Sequence, residues 1–185
     1  MATDLAAAPI LLELDDATWS KQIDRAAAWL GDALTVQEKF RKLAEDTAAS
    51  LKEPHIKKYI QDIARHAAAH EELVRGLARA IGREPSGGRS LAGSVLAKGA
   101  ELVADVVGLA GGARGNWKDL RQLLLASQDA MGAFAIAEQL GYALGLPKLS
   151  DPAFRAAAEK TRDHLVIQEF VLEMAPASIL LHQDA

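Results

Sequence analysis

PHIKKYIQDIARHAAAHEELVRGLARAIG, residues 54–82, is the stretch that decides the fold. Proline is well placed at a first helical position, because the N–H it lacks has no partner there. Residues of the buried type then recur every third or fourth position, which is the spacing of one face of a helix. They are Ile56, Ile60, Ile63, Ala67, His70, Val74, Leu77 and Ile81. The pattern predicts a long amphipathic helix, helix B, that ends before Gly82.

Three further segments carry helical spacing. Helix A is predicted from Ala17 to Ala49, helix C from Trp117 to Leu144 and helix D from Ser150 to Ala175. Most prolines lie between these segments rather than inside them, as helices require. The sequence therefore predicts an all-α protein.

The lengths of the connections predict the topology. Helices A and B, and helices C and D, are joined by short links, so each pair forms an antiparallel hairpin. The link at residues 83–115 is long enough to travel the length of a bundle and contains a weak helix at residues 91–109. The predicted fold is a ferritin-like four-helix bundle, two antiparallel hairpins joined by a long crossover that carries a short helix. Residues 1–16 form an N-terminal arm, residues 17–176 the bundle and residues 177–185 a flexible tail.

Composition excludes several classes of function. The chain has no cysteine, which excludes disulfides, thiolate catalysis and Cys-ligated metals. Its net charge of −4 argues against nucleic-acid binding, which wants a positive excess. Lys98, Glu101 and Asp105 interrupt the most apolar stretch, so no membrane span is expected. The N-terminus lacks a basic region and carries Asp4, so a secretory signal is not expected and we predict a cytoplasmic protein.

The interior of such a bundle is a known place for metal chemistry. In dimetal carboxylate bundles two helices each provide a Glu and the other two each provide Glu-x-x-His. Here His70 and His164 fall near the expected histidine positions, but the residues three earlier are Ala67 and Thr161. Two iron ions need several anionic oxygens, so no intact dimetal centre is expected.

A smaller set of ligands remains. His70, His164, Glu138 and Gln37 would suit one divalent metal ion, namely iron, manganese or zinc. The alternative is that both histidines are hydrogen-bonded structural residues, that Gln37 fixes the register of the helices and that Glu138 faces solvent. No other cofactor is indicated.

A second histidine pair lies on helix B. His66 and His70 are four residues apart with Glu71 beside them, a spacing that can chelate a metal. Together with His164 they would make a metal-binding bundle of the DinB type. The alternative is that His66 is a half-exposed residue at the edge of the helix face.

Several local motifs resemble the YciE/YciF-type ferritin-like proteins over residues 29–176. They are Trp29-Leu30-x-Asp32-Ala33 in helix A, Leu77-x-x-x-Ile81 at the end of helix B, and the glycine-rich crossover. The resemblance implies a small, usually dimeric bacterial bundle that is associated with stress and carries inward carboxylates suited to a dimetal centre.

This chain departs from that family at the carboxylate positions. Gln37 stands for the helix A glutamate, Ala67 or Ala69 for the helix B carboxylate, and Phe134-Ala135 for a Phe-Glu pair on helix C. Only Glu159 on helix D keeps a match. The resemblance therefore implies the fold more strongly than the iron chemistry.

The sequence thus favours a non-catalytic stress-associated or interaction protein with a degenerate metal site. The alternatives are a metal-binding oxidoreductase with a mononuclear His/carboxylate site, and the DinB-type bundle. Trp29, Val36 and Leu43 form a second apolar stripe on helix A, seven residues apart. Such a stripe predicts a homodimer whose interface includes helix A or the crossover.

Overall fold

The computed structural model describes residues 14–85 and 115–181, which form four α-helices and no strand. The helices are α1 (Asp16–Ser50), α2 (Pro54–Ala80), α3 (Asn116–Ala143) and α4 (Pro147–Leu180). They correspond to the predicted helices A to D, so the all-α prediction is confirmed. The predicted N-terminal arm up to residue 13, the weak helix at residues 91–109 and the last four residues lie outside the described residues.

Local chemistry determines where the first hairpin begins and turns. The Asp15 carboxylate accepts the backbone N–H of Thr18 at 2.8 Å and caps α1. The hydrogen bonds from Thr18 lower the pKa of Asp15. Only residues 51–53 separate α1 from α2, and Pro54 opens α2 at the position where a missing N–H is tolerated.

The second hairpin is tighter than predicted. Gly145 adopts a φ of +62°, a left-handed conformation that glycine reaches without strain. Helix α4 then starts at Pro147, three residues before the predicted Ser150. Gly141 lies against this start, because a Cβ added there would be 2.5 Å from the backbone nitrogen of Ser150. The two helices approach closely only because residue 141 has no side chain.

Helix α4 also runs further than predicted. It passes through Pro176 and ends at Leu180 instead of Ala175. The proline removes one backbone hydrogen bond in the last turns. Ser178, two residues later, is nonetheless buried, so the end of the helix is packed on the bundle. The first residues of the predicted tail are therefore helical.

Contacts between side chains give the direction of each helix. Both hairpins are antiparallel, and α1 is also antiparallel to α3, as α2 is to α4. The contacts that fix these directions are Arg41–Glu71 and Arg83–Asp24 for α1/α2, Trp117–Val171 and Ser127–His164 for α3/α4, Trp29–Ala133 and Ser50–Asp119 for α1/α3, and His55–Glu173 and His70–Glu159 for α2/α4.

It follows that α2 and α3 lie diagonally across the bundle and run in the same direction. The end of α2 is marked by the contact of Arg83 with Asp24, near the start of α1. The start of α3 is marked by the contact of Asp119 with Ser50, at the end of α1. At 1.5 Å per residue these two points lie about 40 Å apart along α1. The described chain thus leaves one end of the bundle at Pro85 and returns at the other.

Two apolar clusters fill the two ends of the bundle. The first contains Phe40, Ile60, Leu123 and Ile167, and the second contains Leu30, Val74, Phe134 and Ala153. Between them lies a layer of buried polar side chains. None of the described helices has an apolar stretch long enough to cross a membrane.

Candidate functional site

Five polar side chains form the layer between the two apolar clusters, and we call them the polar layer. They are Gln37, His70, Glu71, Lys160 and Asp163, with exposed fractions of 0, 3, 7, 0 and 5%. Charged residues are almost never buried to this extent unless they are paired. The polar layer is therefore the feature of the interior that calls for a physical explanation.

Helical spacing explains which residues of α4 enter the layer. The buried row on α4 is Ala153, Ala156, Lys160, Asp163 and Ile167, at intervals of three and four residues. The sequence had instead predicted that the neighbouring row, which contains His164, faces the interior of the bundle. The chain thus buries a lysine and an aspartate three residues apart on α4.

Lys160 reaches the centre of the bundle. Its Nζ lies 4.0 Å from the centroid of the Phe40 ring, on the diagonally opposite helix. A cation over an aromatic face is attracted by the ring quadrupole. Burial lowers the pKa of Lys160 to about 8, and the charges of Asp163, Glu71 and Glu159 oppose this shift. The ammonium is therefore a desolvated cation that nearby carboxylates partly compensate.

His70 lies beside it on α2. Its Nε2 is 2.9 Å from Oε2 of Glu159, and its ring meets the Phe134 ring edge-on at 5.3 Å. Burial lowers the pKa of His70, and the positive charge of Lys160 lowers it further, against the raising effect of Glu159. The neutral ring that donates from Nε2 to Glu159 presents the Nδ1 lone pair to the interior.

Four polar atoms of the layer are buried without a hydrogen-bond partner among the described residues. They are Gln37 Oε1, His70 Nδ1, Lys160 Nζ and Asp163 Oδ2. The other polar atom of Gln37 donates to the carbonyl of Ala130 at 2.8 Å. One of the four is an ammonium with three protons and the others can accept them. Because Lys160 Nζ is one of the four, the ammonium makes no hydrogen bond to the other three atoms, and the layer is complementary in charge only.

Glu71 belongs to the edge of the layer. Arg41 donates from Nε to Glu71 Oε1 at 2.5 Å, and Arg75 lies 3.9 Å from the other oxygen. The hydrogen bond to Glu71 is the largest cause of the raised pKa of Arg41. Because two arginines compensate this carboxylate, it is less available to the interior than Asp163.

The four predicted metal ligands do not come together. Gln37 and His70 lie in the polar layer. His164 is half-buried on the seam between α3 and α4, where its Nδ1 is 2.8 Å from Ser127 Oγ. Because Ser127 gives its own proton to the Leu124 carbonyl, His164 is the donor in that contact.

Glu138 lies two turns beyond the layer on α3. It hydrogen-bonds the Tyr142 hydroxyl one turn further on, and that bond is among the causes that raise the pKa of Tyr142. The His66–His70 pair is also divided, since His66 Nδ1 faces Asp163 at 3.1 Å while His70 faces Glu159. Across residues 14–85 and 115–181, no three His, Asp or Glu side chains are grouped to hold a metal ion.

Sequence reasoning missed Lys160 and Asp163. The signal was present, because both continue the three-and-four spacing of an otherwise apolar row on α4. Phe40, Glu71 and His66, which contact or compensate these two residues, lie on other helices, so only the packed bundle reveals the burial.

The polar layer does not fit the metal centre that such a bundle would suggest. Its interior offers one imidazole nitrogen, one amide oxygen and one carboxylate, Asp163, that is not held by arginines. A divalent ion placed among them would share the space with the Lys160 ammonium and be repelled by it. Carboxylate-bridged metal pairs need several anionic oxygens, which this interior does not supply.

Access to the layer is limited as well. A groove of about 410 Å³ lies between α2 and α4 and reaches Asp163 and His66 at its wall. Neither Lys160 nor His70 lines it. The inner part of the layer is therefore separated from this groove.

No family model, curated protein or solved structure matches the chain.

Proposed function

We propose that this chain is a ferritin-like bundle protein with a degenerate metal site, and that it works as a non-catalytic interaction protein that self-associates as a homodimer. An association with stress is part of the proposal and follows from the YciE/YciF resemblance alone. The observation that carries the proposal is an exposed apolar row on α4.

The ferritin-like part of the proposal is supported by the helix directions. All neighbouring helices are antiparallel, and α2 and α3 are parallel across the diagonal. A bundle of two hairpins needs a long connection to achieve this arrangement, whereas up-down-up-down bundles use short ones. Twenty-nine residues separate Pro85 from Gly115, enough for such a connection.

The non-catalytic part is supported by the polar layer. Its one carboxylate that is not held by arginines, Asp163, contacts His66 and interacts with the charge of the Lys160 ammonium, and Lys160 and His70 do not line the neighbouring groove. An open metal site with two histidines and a carboxylate, as a mononuclear oxidoreductase would use, needs His164 and Glu138 in the layer. Their side chains are engaged with Ser127 and Tyr142 instead.

The apolar row that we assign to the interface follows the outer face of α4. Phe154, Leu165, Leu172 and Ile179 are exposed by 56, 54, 59 and 46%. Their spacings of 11, 7 and 7 residues place them on one side of a helix. An exposed apolar row of this length on a helical bundle indicates a surface that contacts another molecule.

Charges beside the row favour a second copy of the chain as the partner. Arg155 and Arg162 lie exposed beside its first half, where Asp151 and Glu159 are exposed as well, and Glu169 and Glu173 lie exposed beside its second half. If two α4 helices meet antiparallel about a two-fold axis, Arg155 and Arg162 of each copy lie opposite Glu169 and Glu173 of the other. Such self-complementarity is what a two-fold interface requires.

The stripe that first suggested a dimer lies elsewhere. Trp29, Val36 and Leu43 on α1 are half-buried and pack against the apolar clusters. The Trp29 indole donates to the carbonyl of Ala133 on α3 at 3.2 Å. The proposed interface is therefore on α4 rather than on α1.

Light scattering after gel filtration tests the proposal at tens of micromolar protein. We expect a mass of twice the chain's 19.7 kDa for the wild type. The double substitution Leu165→Glu/Leu172→Glu should give the monomer mass with unchanged helicity, because it places charges in the apolar row. Ile136→Glu on α3, at a residue that is 44% exposed, is the matched control and should leave the dimer intact.

A charge exchange tests the antiparallel geometry. Arg162→Glu alone should weaken the dimer, and adding Glu169→Arg to it should restore the mass. A wild-type monomer at these concentrations, or a dimer that tolerates both glutamates on α4, would overturn the proposed interface.

A further inference from the structure

We infer that the Lys160 ammonium takes the place of a metal ion in this bundle, as a cation that is covalently part of the chain and organises the polar layer. The inference rests on the ferritin-like arrangement of the proposed function but not on the dimer. It gives a structural role to Lys160, whose burial the loss of a metal site alone would not explain.

The position of Lys160 is the first argument. A dimetal bundle needs one inward residue on each of two helices and an inward pair, three residues apart, on each of the other two. The inward pairs here are Ala67/His70 on α2 and Lys160/Asp163 on α4. The single positions facing one another on α1 and α3 are Gln37 and Ala130, joined by a hydrogen bond. Lys160 therefore belongs to an inward pair with the spacing of a ligand pair, one residue after the Glu159 that the family resemblance matches.

The reach of Lys160 is the second argument. Its Nζ crosses the bundle from α4 to the Phe40 ring on the diagonal helix, so the charge lies near the middle of the layer. Its charge interacts with those of His70, Asp163, Glu71 and Glu159. A metal ion bound by the inward residues would interact with the same groups.

The hydrogen-bonding capacity of the layer is the third argument. Gln37 Oε1, His70 Nδ1 and Asp163 Oδ2 are lone-pair donors of the kind that bind metals, and all three are buried without a protein partner. Buried polar atoms of this kind are normally satisfied. Lys160 Nζ is among the same unpartnered atoms, so the ammonium compensates these lone pairs through its charge and not through hydrogen bonds, whereas a metal ion would coordinate them.

The inference predicts that one substitution restores metal affinity. Lys160→Glu removes the repelling charge and provides a carboxylate three residues before Asp163, facing His70. We expect this variant to bind about one Co²⁺ per chain, at least about tenfold more tightly than the wild type. Absorption of the bound Co²⁺ in the visible range and isothermal titration calorimetry would both report it.

Two controls make the measurement specific. Lys148→Glu changes the net charge equally at an exposed position of α4 and should bind Co²⁺ no better than the wild type. Adding His70→Ala to Lys160→Glu should remove the gained affinity, because the imidazole is the proposed ligand on α2. Circular dichroism establishes that each variant is helical before the titration.

The outcomes separate cleanly. A folded Lys160→Glu variant with wild-type affinity for Co²⁺ would overturn the inference, as would a wild type that binds one Co²⁺ equally well. If Lys160→Glu unfolds without metal, recovery of helicity on adding Co²⁺ supports the inference. If it stays unfolded, Lys160→Gln decides, since loss of the ammonium alone must raise Co²⁺ affinity above that of Lys148→Glu. The dimer mass measured above is independent of every one of these results.

Discussion

Stability at alkaline pH offers the sharpest test of the charge state of Lys160. The pKa of this lysine is lowered from 10.5 to about 8 in the folded chain. Below pH 8 the lysine is charged in both states, and the cost of burying the ammonium is fully present. Between pH 8 and 10.5 the folded state releases its proton first, so the unfolded state binds more protons and stability rises with pH. The difference of about 2.5 pH units corresponds to about 3 kcal/mol.

Lys160→Met removes this titration while keeping a flexible apolar side chain of similar length. Wild type and variant should be compared by urea unfolding at several values between pH 7.5 and 10.5. We expect the stability of the wild type, relative to the variant, to rise by about 3 kcal/mol over that range. Burial lowers the pKa of His70, so its ring is already neutral in this range and contributes little to the change in the difference.

Exposed lysines provide the control. Lys58→Met at an exposed position of α2 should leave the pH profile parallel to that of the wild type. If Lys160→Met is also parallel to the wild type across the range, the ammonium is not desolvated in the folded chain and the reasoning is refuted.

Four further substitutions test the packing and capping of the helices by thermal or urea unfolding. Gly141→Ala should lower the free energy of unfolding by about 1–3 kcal/mol, because the added Cβ meets the backbone of α4 at 2.5 Å. Gly132→Ala on the same helix has open space and should raise the free energy of unfolding by about 0.4–1 kcal/mol. Equal effects of the two substitutions would contradict the close approach of the helices. Trp117→Phe should cost about 1–3 kcal/mol, since the indole donates to the carbonyl of Val171 at 2.9 Å, and a neutral result would show that this bond is not made. Asp15→Ala should cost about 1 kcal/mol through loss of the cap on α1, and an unchanged midpoint would argue that the first turn is frayed.

The helices were predictable because local spacing carries them. The row from Ile56 to Ile81 repeats every three or four residues without a break, so helix B needed no knowledge of its partners. The end of α4 was less predictable, because Pro176 indicates a stop locally. The burial of Ser178 against the rest of the bundle is a tertiary effect that the local sequence does not display.

The polar layer was less predictable for a related reason. On α4, two adjacent rows have helical spacing, one with Lys160 and Asp163 and one with His164. Comparison with the metal sites of such bundles favoured the second row, because that row contains His164. In the folded chain Glu71 on α2 and the Phe40 ring on α1 accompany the lysine in addition to Asp163 and Glu159 on its own helix, and Glu71 and Phe40 are distant in sequence. Gln37 and His70 were placed correctly in the interior because their own rows are otherwise apolar.

The parallel course of α2 and α3 has a consequence for how the molecule could be divided. Each hairpin has its own short turn, and the chain between Pro85 and Gly115 is the single covalent tether between the two hairpins. A chain opened within that tether would consist of two helical fragments, each with one face of the core and one side of the polar layer. Their reassociation would become a bimolecular reaction, in which the tether no longer sets the effective concentration of one half for the other. The same division describes two modules that could be exchanged between copies of the chain, as in domain swapping.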